Sequence, residues 1–329
     1  MRGGRGASGG RATSGGRAAS AARGATAARA SAAGAVVLGF GADRVLGDPA
    51  RLHPVAGFGA AAAWLERRVW RPSRALGAAY ACVLVAAAWG AARVAGPSGS
   101  VAAAVLWATL GGRSLERSAL DLQEALLAGD VDRARALAPA LVGRDPARLD
   151  EAGLARAAVE SVAENTSDAV VAPLLWMAAL GAPGAAAYRA INTLDAMVGH
   201  RDERHLRFGW AAARLDDLAN WAPARVTALL VVALAGGSGR AAWRAAFVDG
   251  AGHPSPNAGR VEGAFAGALG VRLGGLNHYA HGPEERPRLG DGAAPRAGDI
   301  ARAAALARRV GMVAAALAAA GAATTRVRP

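Results

Sequence analysis

Uncharged runs of small apolar residues recur along the chain and predict helices that cross a membrane. The clearest run, Ala75–Ala92, holds no charged residue over eighteen positions and lies between Arg74 and Arg93. Its length is close to the roughly 20 residues that a membrane-spanning helix needs, and the flanking arginines suit anchored ends. The run therefore predicts a transmembrane helix.

Three shorter apolar runs show the same pattern: Val101–Gly112, Val226–Gly239 and Val310–Thr325. Each is shorter than the roughly 20 residues that cross a bilayer alone. Because alanine contributes little to membrane insertion, these runs leave two interpretations open, a membrane bundle and a soluble alanine-rich bundle.

Residues 113–156 show a different pattern, in which charged residues interleave with leucines such as Leu115 and Leu122 at helical spacing. This spacing is typical of an amphipathic helix. Gly129 and Asp130 interrupt it and predict two antiparallel helices in water. Runs of β-branched and aromatic residues, which favour strands, are nearly absent. The sequence therefore predicts an all-α polytopic membrane bundle with amphipathic cytoplasmic helices.

The chain divides into a tail over residues 1–34 and a single helical integral-membrane domain over residues 35–325. The tail consists of glycine, alanine, serine and arginine, so it has too little apolar surface to order itself and is predicted to be disordered. It also carries much of the charge, since without the six arginines of residues 1–42 the formal charge of +13 falls to about +7.

The amino-acid composition limits the kinds of ligand site that the chain can form. All 38 basic residues are arginine, so a phosphate contact must use arginine, backbone amides or a metal. No basic and aromatic patch accompanies the high charge, which argues against a nucleic-acid partner. The single cysteine, Cys82, excludes intrachain disulfides and cysteine-based metal clusters. The chain also lacks the glycine-rich loop of a Walker-type nucleotide site.

Three carboxylates, Glu160, Glu164 and Asp168, stand at i, i+4 and i+8, so a continuous helix would place them along one face. Like charges at this spacing repel, and a bound cation would relieve the repulsion. Hard oxygen ligands suit Mg²⁺. A solvated acidic face is the alternative, but the row leads directly into the charge-free run Ala169–Tyr188, which favours a functional role.

A second cluster combines acidic and amide side chains one helical turn apart. Asn192 and Asp195 form one pair, and Asp216 and Asp217 precede Asn220. Such pairs can hold a metal-bound phosphate, and nearby arginines can neutralise the remaining phosphate charge bidentately. The alternative is a polar interfacial loop whose charges pair with one another. The arginines of this stretch are Arg201, Arg204, Arg207, Arg214 and Arg225.

A third cluster is the heptapeptide HPSPNAG at residues 253–259. Its two prolines predict a rigid extended turn, and Ser255 is placed to donate a hydrogen bond. The His-Pro pair at His253 repeats one at His53. Alone, the motif is only a rigid turn, because lone histidines are more often structural than catalytic.

As a set, these motifs resemble the CobD/CbiB family, the membrane-bound adenosylcobinamide-phosphate synthases. The resemblance covers most of residues 42–265 and is highly specific, whereas the segments before residue 35 and after about residue 280 lie outside it. The blocks that carry it are 42–59 (ADRVLGDPARLHPVAGFG), 142–176, 181–225 and 253–259.

The resemblance implies ATP-dependent amide-bond formation between adenosylcobyric acid and (R)-1-amino-2-propanol phosphate, or a close analogue, giving adenosylcobinamide phosphate. It also implies Mg²⁺, ATP as co-substrate, and a multi-pass location in the inner cell membrane. Two alternatives stay open: an intramembrane Mg²⁺-dependent prenyltransferase, whose paired Asp/Asn helix motifs also hold Mg²⁺-diphosphate, and a transporter with buried acids.

Under that chemistry each candidate residue takes a role. A base for the substrate amine is expected among Glu160, Glu164 and Asp168. The metal–phosphate role is assigned to Glu164, Asp168, Asp195, Asp216 and Asp217. Substrate and phosphate binding is assigned to Asn165, Asn192, Arg214, Asn220, Arg225, His253, Ser255 and Asn257.

One constraint links the first two clusters. If Ala169–Tyr188 crossed the bilayer once, Asp168 and Asn192 would lie on opposite sides, and a single site could not form. Pro173 and the break at 181–184 (Gly-Ala-Pro-Gly) predict instead a broken or re-entrant helix whose ends return to the same side. Irregular backbone at that depth is tolerated where it lines a protein cavity.

Overall fold

The computed structural model describes residues 30–48, 53–142, 146–200, 202–279 and 282–324, without the side chains of residues 277–283. Residues 1–29 of the predicted tail lie outside this range, and the first helix begins at residue 30. The helices are α1 (30–46), α2 (Pro54–Val69), α3 (Arg74–Val94), α4 (Gly99–Thr109), α5 (Gly112–Leu127), α6 (Val131–Leu137), α7 (Glu151–Thr166), α8 (Ala172–Val198), α9 (His205–Phe208), α10 (Trp210–Ala219), α11 (Trp221–Leu234), α12 (Gly239–Phe247), α13 (Ala258–Leu269) and α14 (Ala297–Thr324).

Three helical segments are long and apolar enough to cross a membrane: α3, the run Glu151–Val198, and α14. Helices α10 and α11 meet at a 42° bend and would together make a fourth. The span predicted at Ala75–Ala92 is confirmed by α3. By contrast, α4 has 11 residues and is too short to cross alone. The prediction of an all-α membrane bundle is confirmed.

Helix α7 lies at the centre of the bundle and packs against α5, α13 and α14. Most of its residues are buried, and alanine and valine dominate them. Small side chains let neighbouring backbones approach closely, which is how helices associate where hydrophobic burial against lipid offers little. Gly77 of α3 illustrates this, because any side chain there would collide with the backbone carbonyl of Phe208.

The charge-free run after Asp168 is a broken helix, as predicted. Gly181 adopts φ 70° and ψ −163° inside α8, a conformation open essentially to glycine alone. Pro183 removes a helical hydrogen-bond donor two residues later. Beyond the break the chain turns back, because the Tyr188 hydroxyl reaches the Asp168 carbonyl at 3.1 Å. An unbroken helix would separate residues 20 positions apart by about 30 Å.

A π-helical turn over Ser167–Val171 joins α7 to α8. A π turn adds a residue to the helix and so changes the direction in which the following side chains point. The expected continuous face of three carboxylates is therefore interrupted, because Glu160 and Glu164 lie one turn apart within α7 and only Asp168 lies in the π turn. Glu160 is buried at 2% exposure, Glu164 is exposed, and Asp168 lies beyond the added residue in a half-buried position.

Two features of the fold differ from the sequence prediction. The predicted antiparallel pair in residues 113–156 is present as α5 and α6, but α6 ends after only seven residues. An antiparallel hairpin, β1 (Leu273–Tyr279) and β2 (Gly282–Leu289), was not predicted. Its strands lack β-branched residues, so the usual strand signal is absent from them. The hairpin packs on α13.

Candidate functional site

The Asp216 carboxylate is held by two amide side chains from different parts of the fold. Asn192, on the returning half of α8, donates to one carboxylate oxygen at 3.3 Å, and Asn220, just after α10, donates to the other at 3.0 Å. Asn220 is 1% exposed. These two hydrogen bonds fix the carboxylate's plane before any ligand binds.

Tyr188 orients this arrangement, and the sequence interpretation missed it. Its buried hydroxyl donates to Asn220 Oδ1 at 2.8 Å and also lies 3.1 Å from the Asp168 carbonyl. Because Asn220 Oδ1 accepts from Tyr188, its Nδ2 must point toward Asp216. The available signal was a tyrosine at the end of an apolar run, one helical turn before Asn192.

Five carboxylates gather around this network, and we name the group the acid pocket. Asp168 lies close enough to Asp216 and Glu164 for their charges to interact, with Arg189 as the nearby positive group. Asp195 interacts electrostatically with Asp216, Asp217 and Glu164. The fold therefore brings together residues far apart in sequence, which are Glu164, Asp168, Asp195, Asp216 and Asp217.

The donor chemistry of the acid pocket fits a hard divalent cation that is shared with a phosphate. Among the described residues, no three His, Cys, Asp or Glu side chains come close enough to hold an ion by themselves. Mg²⁺, however, is usually bound through one or two carboxylates together with substrate phosphates, not by an all-protein cage. Asp168 and Asp216 supply such a pair, and the Asn192 amide nitrogen donates to Asp216 beside them.

The HPSPNAG turn closes one side of the pocket. Asn257 is 7% exposed, donates to the Asp217 carbonyl at 2.8 Å and accepts from Arg225 at 3.4 Å. The Arg225 guanidinium also lies 4.2 Å from the centre of the Trp221 ring, which holds it over the aromatic face. Arg214 pairs with Asp217 at 3.3 Å on the exposed side. Both predicted phosphate-binding arginines therefore border the acid pocket.

Comparison with known proteins identifies the family. The profile of the family described as CobD/Cbib protein matches residues 36–307, which is most of the chain. The protein belongs to the CobD/CbiB family. The match spans every residue of the acid pocket, and the membership places the chain among proteins of cobalamin biosynthesis. No solved structure matches it.

Several curated members of the CobD/CbiB family are close relatives, and each is named cobalamin biosynthesis protein CobD. The protein of Mycobacterium tuberculosis is 55% identical over 292 residues, 86% of this chain and 93% of that protein. That of Chromobacterium violaceum is 47% identical over 281 residues, 81% and 89% of the two chains. That of Rhodobacter capsulatus is 43% identical over 293 residues, 84% and 93%.

Some predicted site residues of this CobD/CbiB protein lie elsewhere. Glu160 is buried and accepts a hydrogen bond from the Gly274 amide of the hairpin at 2.8 Å. Asn165 donates back to the Ser161 carbonyl one turn earlier. Arg204 pairs with Glu66 of α2 at 3.0 Å, a partner outside the polar loop, whereas Asp202 pairs with His205 within it, as the alternative interpretation suggested. Arg201 lies outside the described residues.

The two His-Pro pairs of the CobD/CbiB chain form the same local structure. His53 Nδ1 accepts from the Val55 amide, and His253 Nδ1 accepts from the Ser255 amide, each at 3.1 Å. Burial and the nearby Arg286 lower the pKa of His253, which favours its neutral form. Because Nδ1 accepts the Ser255 amide, the proton of that neutral ring is on Nε2. The Ser255 hydroxyl accepts from the Asn257 and Ala258 amides and caps α13. Both residues shape the turn that presents Asn257.

Proposed function

We propose that this CobD/CbiB protein joins the carboxylate of adenosylcobyric acid to the amine of (R)-1-amino-2-propanol phosphate, using ATP, to give adenosylcobinamide phosphate. The observation that carries the proposal is the convergence of Asp168 and Asp216 in one pocket through the fold-back of α8. A single boundary site with oxygen ligands and two bordering arginines suits phosphoryl transfer at the cytoplasmic side, where ATP is available.

The chemistry requires activation because a carboxylate is a poor acyl donor. In the proposed sequence, a carboxylate oxygen of the corrinoid attacks the γ-phosphorus of ATP, and ADP leaves. The amine nitrogen then attacks the acyl carbon, inorganic phosphate leaves, and the amine gives up a proton. Each step moves negative charge onto phosphate oxygens, so the protein must stabilise that charge.

Asp168 and Asp216 are the residues that would hold Mg²⁺ in this scheme. Mg²⁺ bound there would spread the negative charge of the transferring phosphoryl group. The amides of Asn192 and Asn220 keep the Asp216 carboxylate in a fixed orientation, which lowers the cost of organising the site on binding.

Arg225 is the residue best placed for a substrate phosphate. It is partly buried, and its guanidinium group stacks on Trp221 and donates to Asn257. These contacts hold the guanidinium group in place before a phosphate binds. Arg214 is exposed and pairs with Asp217, so its contribution is expected to be smaller.

Among the three carboxylates considered as the base, Glu164 is the best supported. It borders the acid pocket and is exposed to solvent, so it can exchange a proton after taking one from the amine. Glu160 is buried and already accepts a hydrogen bond from the Gly274 amide of the hairpin. Asp168 is assigned to the metal instead.

The test is the substrate requirement for ATP consumption. Purified protein in detergent, with Mg²⁺, is expected to convert ATP to ADP and phosphate only when cobyric acid and the amino-alcohol phosphate are both present, with one amide formed per ATP. Omitting either substrate is expected to abolish turnover beyond the first step. Amide formation without ATP consumption, or steady ATP hydrolysis with neither substrate, would contradict the proposal.

A further inference from the structure

Exposed arginines gather on the surface around the first residue of α3. They come from the end of α2, the connection to α3, the first residue of α3 and α9. These segments form one surface, because α9 and α10 both pack against α3 and the Trp70 indole donates to the Arg204 carbonyl at 3.2 Å. The members of this group, which we name the α3 arginine surface, are Arg67, Arg68, Arg71, Arg74 and Arg207.

The protein itself leaves the charge of this surface unneutralised. Among the residues that the structure describes, none of these five arginines forms an ion pair. Two acids of the same segments have other partners, since Glu66 pairs with Arg204 at 3.0 Å and Asp202 pairs with His205 at 2.9 Å. Residues 64–74 and 202–210 together hold six arginines and three acidic residues, so the surface is strongly basic.

The length of α3 places this surface at the membrane boundary. Helix α3 runs from Arg74 to Val94, and its 21 residues are long and apolar enough to cross a bilayer. At 1.5 Å per residue the helix is about 31 Å long, close to the roughly 30 Å of the hydrocarbon core. Its first residue therefore lies at the level of the lipid head groups.

Exposed indole rings hold two of the arginines in place. The Arg68 guanidinium lies 3.8 Å from the centre of the Trp64 ring, and that of Arg74 lies 5.5 Å from the centre of the Trp210 ring. Trp64 is 51% exposed and Trp210 is 43% exposed. Tryptophan is enriched at the head-group level of membranes. A guanidinium stacked on a ring keeps its N–H groups free to donate to a phosphate.

Exposed leucines accompany the arginines. Leu76, in the first turn of α3, and Leu206, on α9, are both largely exposed. Contact with acyl chains would remove their apolar surface from water. The surface therefore offers guanidinium groups for a phosphate and apolar side chains for a hydrocarbon chain, and a phospholipid carries both. An acidic soluble partner would match the arginines but not the leucines.

We propose that the α3 arginine surface binds anionic phospholipids, such as phosphatidylglycerol, through their phosphate groups. An anionic lipid supplies the net negative charge that the surface lacks. Phosphatidylcholine is zwitterionic, and the arginines repel its choline group. The lipid preference does not depend on the proposed reaction, so either can fail while the other stands.

Native mass spectrometry of protein released from nanodiscs with equal phosphatidylglycerol and phosphatidylcholine measures the preference. The wild type should retain phosphatidylglycerol about fivefold or more over phosphatidylcholine, because each arginine near an anionic head group contributes about that factor. In the triple variant Arg67→Gln/Arg71→Gln/Arg207→Gln the preference should fall below about twofold. The three side chains are exposed and form no ion pair among the described residues, so the variant is expected to fold.

A matched control removes the same charge elsewhere. Arg117→Gln/Arg272→Gln/Arg288→Gln changes three exposed arginines of α5 and the hairpin region that also form no ion pair among the described residues. This control should keep the wild-type preference. Equal retention of the two lipids by the wild type, an unchanged preference in the surface variant, or equal losses in both triple variants would overturn the proposal.

Thermal unfolding gives a second readout. The wild type and the control should unfold at a higher temperature in phosphatidylglycerol nanodiscs than in phosphatidylcholine nanodiscs, because a ligand that binds the folded state stabilises it. The surface variant should unfold at about the same temperature in both lipids. The same stabilisation of the surface variant by phosphatidylglycerol as of the wild type would contradict the assignment of the site.

Discussion

The acid pocket differs in charge balance from a second region between α1, α5 and α14, which holds Asp43 and which we name the Asp43 pocket. The first gathers five carboxylates, with Arg189, Arg214 and Arg225 at its edges. The second sets three arginines around Glu116 and places the buried Asp43 beside the first backbone amides of α5, at Gly112 and Arg113. The π turn carries one residue of each region, Asp168 of the acid pocket and Val170 of the Asp43 pocket.

The difference indicates what each pocket can bind. An excess of carboxylates repels anions until a cation arrives, so the acid pocket suits a metal together with phosphate. An excess of arginine, as in the Asp43 pocket, disfavours a metal cation. Because the two regions share a turn but no side chain, substitutions in the Asp43 pocket are expected to leave metal binding in the acid pocket unchanged.

The largest effect is expected from Asp216→Asn. The change keeps the shape but removes a proposed metal ligand, so ATP-dependent amide formation should fall by about 100-fold or more. Asp202→Asn is the matched control, because Asp202 pairs with His205 at the start of α9, away from the pocket. Its activity should stay within about twofold of wild type. Equal losses in the two variants would contradict the assigned role.

Gly181→Ala tests whether the fold-back of α8 assembles the acid pocket. Alanine at φ 70° and ψ −163° is strained by about 1–3 kcal/mol, and relief of that strain would move Tyr188 away from Asp168. We expect lower thermal stability and about a tenfold loss of activity. Gly298→Ala, at the exposed start of α14, is the control and should behave like the wild type. An active, stable Gly181→Ala protein would show that the break is dispensable.

Tyr188→Phe removes only the hydroxyl that orients Asn220. A buried polar group left unpaired costs about 1–3 kcal/mol, so the melting temperature should fall. If Asn220 orients Asp216, the apparent affinity for Mg²⁺ should weaken several-fold, about 10-fold at most. A loss of stability with unchanged Mg²⁺ dependence would reduce Tyr188 to a packing role.

The smallest effect concerns pH. Burial raises the pKa of Asp43 from 3.8 to about 6, with Asp48 adding to the rise and Arg44, Arg113 and Gly112 opposing it. A raised folded pKa contributes stability that is present below about pH 4 and lost as pH rises through about 6. The wild type should therefore lose up to about 2–3 kcal/mol relative to Asp43→Asn between those values.

Thermal unfolding in detergent across this pH window measures the difference. Glu116 and Arg308 also face the pocket, so each protein is compared with itself over the range. Asp121→Asn, on the exposed face of α5, should follow the wild-type profile. Parallel profiles for the wild type and Asp43→Asn would show that Asp43 does not carry the pH dependence.

The sequence was sufficient for the spans, the broken helix and the set of carboxylates. A long uncharged run between arginines forms a spanning helix in a membrane. A Gly-Ala-Pro-Gly segment interrupts a helix through the backbone properties of glycine and proline alone. The requirement that Asp168 and Asn192 share a site then predicted the fold-back, which the Tyr188 contact with Asp168 confirms.

The rest depended on tertiary packing. Helical spacing alone predicted that Asp168 continues the face of Glu160 and Glu164, because a π turn leaves no periodic signal in the sequence. In the sequence, Tyr188 is only the last residue of an apolar run, and its contact with Asn220 depends on the fold. The strands of the hairpin lack β-branched residues, so their sequence gives little strand signal. The Asp43 pocket lies between three helices from distant parts of the chain.

Mn²⁺ affinity measured by electron paramagnetic resonance, in a cycle of Asp168→Asn, Asp216→Asn and the double variant, tests the central claim that both carboxylates serve one metal site. If they do, the double variant should bind Mn²⁺ no more than a few-fold more weakly than the worse single variant, because one loss already disables the site. Independent effects that multiply in the double variant would contradict a shared site.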